Sequence, residues 1–180
     1  IEVIRGPGGT IWGANAANGA IHIITKHART TQGNLITSGG GSEERGFTTL
    51  RHGGKIGESF FYRFFTKGFT RDNSFSPGGA NDSWRMGTAG FRADWDINDS
   101  NAVTFQGQYY GGKAGQNTAF INPAEPESAI TRAEDANLAG GHALVRWQRT
   151  TSERSNTALQ VYYDRTHRNE LSFRETRQTI

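Results

Sequence analysis

Apolar and polar residues alternate along most of this chain, in segments of ten or more residues. In Ala102–Lys113, for example, Val103, Phe105 and Tyr109 would share one face and Gln106 the other. Successive side chains of a β-strand point to opposite faces, so this period predicts strands with one apolar and one polar face. The same period recurs in Trp84–Ile97, Asn137–Thr150 and Asn156–His167. The chain is therefore predicted to be all-β.

Seven segments are predicted to be strands, and an eighth begins near Arg177. Tight turns are predicted at residues 57–58, 98–101 and 151–155, and longer connections at 71–83 and 114–136, with a short exception near 42–45. Short turns at one end and longer loops at the other are typical of antiparallel transmembrane β-barrels. The predicted strands are Gln32–Gly41, Gly46–Ile56, Ser59–Thr70, Trp84–Ile97, Ala102–Lys113, Asn137–Thr150 and Asn156–His167.

The lengths of these strands favour a membrane barrel over a soluble β-sandwich. Strands of soluble sheets are most often about 5–6 residues long, whereas a membrane-spanning strand needs about 9–11. Trp95 and Trp147 end strands at the tight-turn side, and Phe60 and Tyr62 begin one there, as in an interfacial aromatic girdle. No apolar run approaches the roughly 20 residues that a membrane-spanning helix needs.

The segment Ser59–Thr70 departs from clean alternation. The positions of Arg63 and Lys67 assign its odd-numbered residues to the polar face and Phe60, Tyr62 and Phe64 to the lipid face. The aromatic residues Phe61 and Phe65 then also fall on the polar face, which the barrel pattern alone does not explain.

The first 26 residues, IEVIRGPGGTIWGANAANGAIHIITK, join two apolar strands through a glycine-rich segment. The dinucleotide fingerprint fails because Ile11 stands at its third glycine, and the P-loop fails because Ala14 and Asn15 replace its Lys and Ser/Thr. No amphipathic helix follows, so a nucleotide site is not predicted. Glycine permits positive φ, and these glycines are predicted to shape a compact turn over Ile11 and Trp12.

These residues resemble the last segment of the plug domain of TonB-dependent outer-membrane receptors. The family pattern is an apolar strand, Arg-Gly-Pro, a turn with an aromatic residue and Gly, and then Asn-Gly before an apolar strand ending in Ile-Ile-Thr-Lys. The chain matches it at Arg5-Gly6-Pro7, Trp12-Gly13, Asn18-Gly19 and Ile23–Lys26, and departs from it at His22.

The resemblance implies that residues 1–27 are the C-terminal part of a plug domain and residues 28–180 the first strands of a transmembrane β-barrel. Barrels of this family have about 22 strands, of which this chain would supply seven to eight as part of a longer protein. The implied function is energised uptake of a ligand, such as a ferric siderophore, across the bacterial outer membrane. The implied partners are outer-membrane lipid, a small-molecule ligand that is most often an iron complex, and TonB, through a segment N-terminal to the plug that this sequence lacks.

The resemblance also assigns roles to individual residues. Glu2 and Arg5 are predicted to lock the plug to the barrel, because a guanidinium makes bidentate bonds to carboxylates on a wall. Phe75 and Trp84, in or beside a long connection, are predicted to contact the ligand in external loops. The plug turn is assigned to Gly6, Pro7, Gly13, Asn18 and Gly19.

The connection 114–136 is predicted to be an external loop. Pro123 and Pro126 would interrupt strand pairing, and Thr131-x-x-Glu134 resembles a capping box, which predicts a short helix.

No catalytic, metal or cofactor site is predicted, and the protein is not expected to be an enzyme. Cysteine is absent, and the five histidines form no metal-binding pair spacing. Asp94 and Asp96 share a face with Arg92 and are interpreted as wall residues that face water or the plug, rather than as a hydrolase pair. The net charge of +3 is scattered rather than clustered, so nucleic-acid binding is not predicted.

Two alternatives stay open at this point. A passive outer-membrane porin or small structural barrel would share the strand pattern but would lack the plug motif. A soluble β-sandwich carbohydrate-binding module would place polar residues at Phe105, Val145 and Val161, where this chain is apolar.

Overall fold

The computed structural model describes residues 1–8, 17–77, 79–122, 124–170 and 173–180, and of residues 122 and 125–128 the backbone alone. Within these ranges the chain is all-β, with a 3₁₀ turn at Ala28–Thr31. None of the helical structure in these ranges is long and apolar enough to cross a membrane. The strands are β1 (Glu2–Arg5), β2 (Gly19–His22), β3 (Gly33–Gly39), β4 (Gly46–Ile56), β5 (Phe60–Arg71), β6 (Trp84–Asn98), β7 (Asn101–Asn122), β8 (Glu125–Ser152), β9 (Ser155–Glu170) and β10 (Phe173–Thr179).

The strands form two antiparallel sheets. β1 and β2 pair with each other, and β3 to β10 form an eight-stranded sheet in which each strand pairs with the next along the chain. Each strand of such a meander satisfies the backbone N–H and C=O groups of its neighbours, so long hairpins are stable without helices on their faces. The predicted all-β class is confirmed, and the eight-stranded antiparallel sheet is consistent with part of a β-barrel.

The eight-stranded sheet has one apolar and one polar face, as the alternation predicts. Phe105, Val145 and Val161 are successive cross-strand partners on what we call the apolar face. Val145 is 43% and Val161 59% exposed, so this face is not covered by the described parts of the chain. The opposite face, here called the polar face, carries pairs such as Arg92 and Gln106.

The described residues bury very little apolar surface. The buried hydrophobic side chains among them are Ala28, Phe61 and Ala136. Ala28 and Phe61 lie where the 3₁₀ turn meets the polar face, so the small core of the molecule sits on the side that the sequence predicts to be polar.

The prediction for the connection 114–136 was wrong. β7 and β8 continue through it and pair from Ala114–Ala136 up to Ile121–Ala129. Thr131 and Glu134 lie within β8 rather than in a helix. The capping box is a local signal, whereas continuous cross-strand hydrogen bonding satisfies the backbone along the whole segment.

Two further details correct the predicted strands. Residues 126–128 are extra residues on β8, because Ile121 pairs with Ala129 while Asn122 pairs with Glu125. Pairing is thus interrupted at Pro126 and resumes at Ala129, and such a bulge accommodates a proline within a strand. The last strand begins at Phe173 rather than near Arg177.

Candidate functional site: a linker anchored on the polar face

The N-terminal hairpin has glycines at the ends of both strands. Gly6 and Gly19 have φ values of 89° and 149°, which favour glycine. A Cβ atom at Gly19 would lie 2.6 Å from the carbonyl oxygen of Ile4. The Gly6 amide donates a hydrogen bond to the carbonyl of Asn18 at 3.3 Å. These glycines therefore allow the close approach of β1 and β2 that the hairpin requires.

The structure does not test the predicted roles of the other plug residues. Ile11, Trp12 and Gly13 lie outside the described residues, and Pro7 follows β1 in an exposed position. Glu2 pairs within the hairpin, where its Oε2 lies 3.0 Å from His22 Nδ1. The Arg5 side chain is exposed and forms no ion pair with another described residue.

Residues 23–32, here called the linker, connect the hairpin to β3 and lie on the polar face. The 3₁₀ turn begins after His27, whose Nδ1 accepts a hydrogen bond from the Arg29 amide at 3.2 Å. The turn packs over Gly53, where a Cβ atom would lie 3.1 Å from Cα of Gln32. Glycine at this position of β4 therefore lets the linker backbone touch the sheet.

Asp94 of β6 is the centre of this contact. It is 1% exposed and accepts hydrogen bonds from four donor groups. The Ala28 amide donates to Oδ2 at 2.7 Å, and Thr104 Oγ1 donates to Oδ1 at 2.8 Å. Arg92 donates from Nε and Nη2, both at 2.8 Å, in a bidentate pair. A buried carboxylate is tolerated only with such partners, and one of these comes from the linker backbone.

Two arginines extend the contact along the linker. Arg92 Nη1 donates to Thr25 Oγ1 at 2.6 Å. Arg63 Nη1 donates to the carbonyl of Lys26 at 3.0 Å and to Thr31 Oγ1 at 3.3 Å. Side chains of β5 and β6 therefore bind the linker at Thr25, Lys26 and Thr31.

An aromatic contact completes the arrangement at the tight-turn end. Phe61 is 6% exposed. The Arg29 guanidinium lies 4.4 Å from its ring centroid, and the His27 ring meets it edge-on at 6.4 Å. Arg29 also pairs with Asp96 at 2.5 Å, but both side chains are partly exposed, so that ion pair contributes little.

Sequence parity placed Arg92, Asp94 and Asp96 on the polar face, facing water or the plug, but it could not identify their partners. Ala28 lies 66 positions before Asp94 in the chain. The one local signal for the buried contact was the unexplained Phe61 on the polar face.

The two residues predicted to contact the ligand, Phe75 and Trp84, differ in their exposure and in their contacts. Phe75 is 97% exposed in the connection 72–83, and Trp84 is 38% exposed at the start of β6. Trp84 lies on the polar face beside Phe69, with ring centroids 5.0 Å apart and planes at 83°. The Arg71 guanidinium lies 5.4 Å from both rings. Trp84 therefore belongs to a cluster of aromatic and cationic side chains with Phe69 and Arg71. No described contact joins Phe75 to this cluster.

An ion pair joins the two connections next to this cluster. Arg45, before β4, donates hydrogen bonds to Asp72, after β5. These bonds favour the charged carboxylate and hold the pKa of Asp72 below its ordinary value. With a lowered pKa, the pair persists as the pH falls through the usual range of an aspartate and is lost only below it.

The described residues contain no group of three or more His, Cys, Asp or Glu side chains that could hold a metal ion. The polar-face contacts described above are hydrogen bonds, ion pairs and ring contacts.

These observations define an all-β chain with one exposed apolar sheet face and an N-terminal segment anchored on the other. The chain is similar to the vitamin B12 transporter BtuB of Vibrio vulnificus (strain CMCP6), with 39% identity over 54 residues. The match covers 28% of this chain and 9% of that protein, so the chain spans a small part of its relative's length. No protein-family model and no solved structure matches the chain.

Proposed function

We propose that this chain is part of a TonB-dependent receptor that imports a small-molecule ligand across the bacterial outer membrane. The observation that carries the proposal is that the sheet has an exposed apolar face and, opposite it, a polar face on which the linker is anchored. Alternate apolar residues suit contact with lipid, and the linker from the plug-like hairpin is anchored on the opposite, polar face. A passive porin would have the first feature without the second.

In this proposal residues 1–27 end the plug and residues 28–180 begin a barrel of about 22 strands. TonB acts through a segment N-terminal to the plug. The ligand is a compound such as a ferric siderophore, and the name of the similar Vibrio protein adds vitamin B12 as a second candidate. Phe75 and Trp84 contact the ligand at the external end.

The proposal is tested by uptake in strains that lack the gene, TonB or both. Radiolabelled vitamin B12 and a panel of ferric siderophores are supplied at nanomolar concentrations. For one of these ligands, we expect uptake to fall to background in each single mutant and no further in the double mutant. Uptake that needs the gene but is indifferent to TonB would favour the passive porin.

The locking role of Arg5 predicts a leak. Arg5→Ala in the intact receptor removes a guanidinium that would hold the plug to wall carboxylates. We expect greater entry of large antibiotics that the intact outer membrane excludes, measured as a lower inhibitory concentration of vancomycin. Arg174→Ala serves as control, because Arg174 lies in β10, far along the chain from the plug-like segment. Equal sensitivity of the two variants would contradict the locking role.

A further inference from the structure

The inner set of residues along β5 alternates strictly between aromatic rings and cations. Because side chains two residues apart share a face of a strand, the whole set lies on the polar face. Its members are Phe61, Arg63, Phe65, Lys67, Phe69 and Arg71. At about 3.3 Å per residue, this row, here called the β5 ladder, extends for about 33 Å.

The middle of the ladder carries positive charge that no described acidic side chain pairs with. Neither β4 nor β5 contains an aspartate or glutamate. Among the described residues, Lys67 and Arg51, its diagonal neighbour across β4 and β5, form no ion pair. Arg51 Nε is moreover buried without a hydrogen-bond partner in the described structure. Buried polar groups are nearly always satisfied, so this donor indicates that an acceptor belongs nearby.

The two ends of the ladder differ in accessibility. At the tight-turn end the linker occupies it, because Arg29 and His27 cover Phe61 while Arg63 binds the carbonyl of Lys26. No described contact joins the linker to a ladder residue between Phe65 and Arg71.

The external end presents rings and cations within reach of one small molecule. Lys67 Nζ lies 5.8 Å from the Phe69 ring, and Arg71 lies 5.4 Å from both Phe69 and Trp84. Arg71 is held by Glu44 at 3.4 Å in a partly exposed pair, whereas Lys67 has no such competitor in the described structure. Successive members on one face are about 6.6 Å apart. Because Lys67 Nζ reaches to 5.8 Å from the Phe69 ring, a ligand ring packed on Phe69 would bring its own anionic group close to this ammonium.

We propose that the upper ladder, from Phe65 to Arg71 with Trp84, is a binding site for an anionic ligand that carries an aromatic ring. The ring packs on Phe69 or Trp84, and Lys67 supplies the charge-assisted hydrogen bond. This inference rests on the proposed importer, since it assigns the ligand class of that function, but its test does not depend on uptake.

The test uses the intact protein, purified from the outer membrane in detergent, and three probes. 1-Naphthoate carries ring and charge, 1-naphthamide the ring alone, and cyclohexanecarboxylate the charge alone. We expect naphthoate to bind most tightly, measured by saturation-transfer NMR titration. Lys67→Gln should weaken naphthoate binding about tenfold, the equivalent of one charge-assisted hydrogen bond, and leave naphthamide binding unchanged. Phe69→Leu should weaken both aromatic probes.

Two variants serve as controls. Lys55→Gln removes a polar-face cation that is paired with Glu58 at 3.0 Å at the tight turn, and it should change naphthoate binding less than twofold. Lys67→Arg should retain it and so excludes misfolding as the cause of a loss. Naphthoate that binds no tighter than naphthamide, or equal losses in Lys67→Gln and Lys55→Gln, would overturn the site. If naphthoate binds as expected but uptake proves independent of the gene, the importer fails while the site stands.

Discussion

Replacing Asp94 with alanine is expected to release the linker from the polar face. The substitution removes the acceptor of the Ala28 amide and leaves Arg92, a largely buried guanidinium, without its bidentate partner. Removing one partner of a buried ion pair costs on the order of 3–5 kcal/mol, because the remaining charge is uncompensated. Arg92 and Arg63 also bind the linker, at Thr25 and Lys26. The loss of anchoring is therefore expected to extend from Ala28 toward Thr25.

Limited trypsin digestion of the intact protein measures this release, because the linker contains Lys26 and Arg29. If cleavage follows the population of the open form, a loss of about 3 kcal/mol raises the rate about 100-fold. Asp94→Asn should give a smaller increase, since the amide oxygen can still accept from Ala28. The control is Asp96→Asn, whose partly exposed pair with Arg29 is worth at most about 1 kcal/mol. Equal cleavage rates in Asp94→Ala and Asp96→Asn would show that the linker is not anchored through Asp94.

The contrast between these two aspartates shows what the sequence can and cannot predict. Alternation assigned both to the polar face, because parity along a strand is a local property. Their burial differs because the 3₁₀ turn covers one and leaves the other partly open. That difference depends on a contact across more than 60 residues, which no local pattern encodes.

In the connection 114–136, local sequence signals predicted a structure that contacts between strands override. Its prolines and capping box are local signals for a loop with a helix, yet β7 and β8 pair through nearly all of it. Gln116 and Thr118, on the polar face, both donate to Glu134 across the pair. Pairing between strands is decided by such partners, so a segment can form strand although its own composition favours a turn.

Alternation predicted which residues of β6 to β9 lie on the apolar face, and this leads to the strongest test of membrane insertion. Val161 and Gln160 are neighbours in β9 that lie on the apolar and the polar face. If the apolar face contacts lipid, Val161→Arg places a charge in the hydrocarbon. Such a charge costs about 2–4 kcal/mol near the bilayer centre of a transmembrane barrel. Gln160→Arg adds the same side chain to the polar face and is expected to cost less than about 1 kcal/mol.

The measurement is the free energy of unfolding of the intact protein in phospholipid vesicles, from guanidinium titration followed by tryptophan fluorescence. Val161→Leu is the apolar control and should remain near the unmodified protein, since it keeps the face that lipid contacts. In detergent micelles, which adapt to a charge more readily than a bilayer does, the cost of Val161→Arg should shrink while that of Gln160→Arg stays small. If both arginine variants cost the same in vesicles, the apolar face does not meet lipid. If Gln160→Arg costs more than Val161→Arg, the two faces have the opposite roles and Val161 faces water.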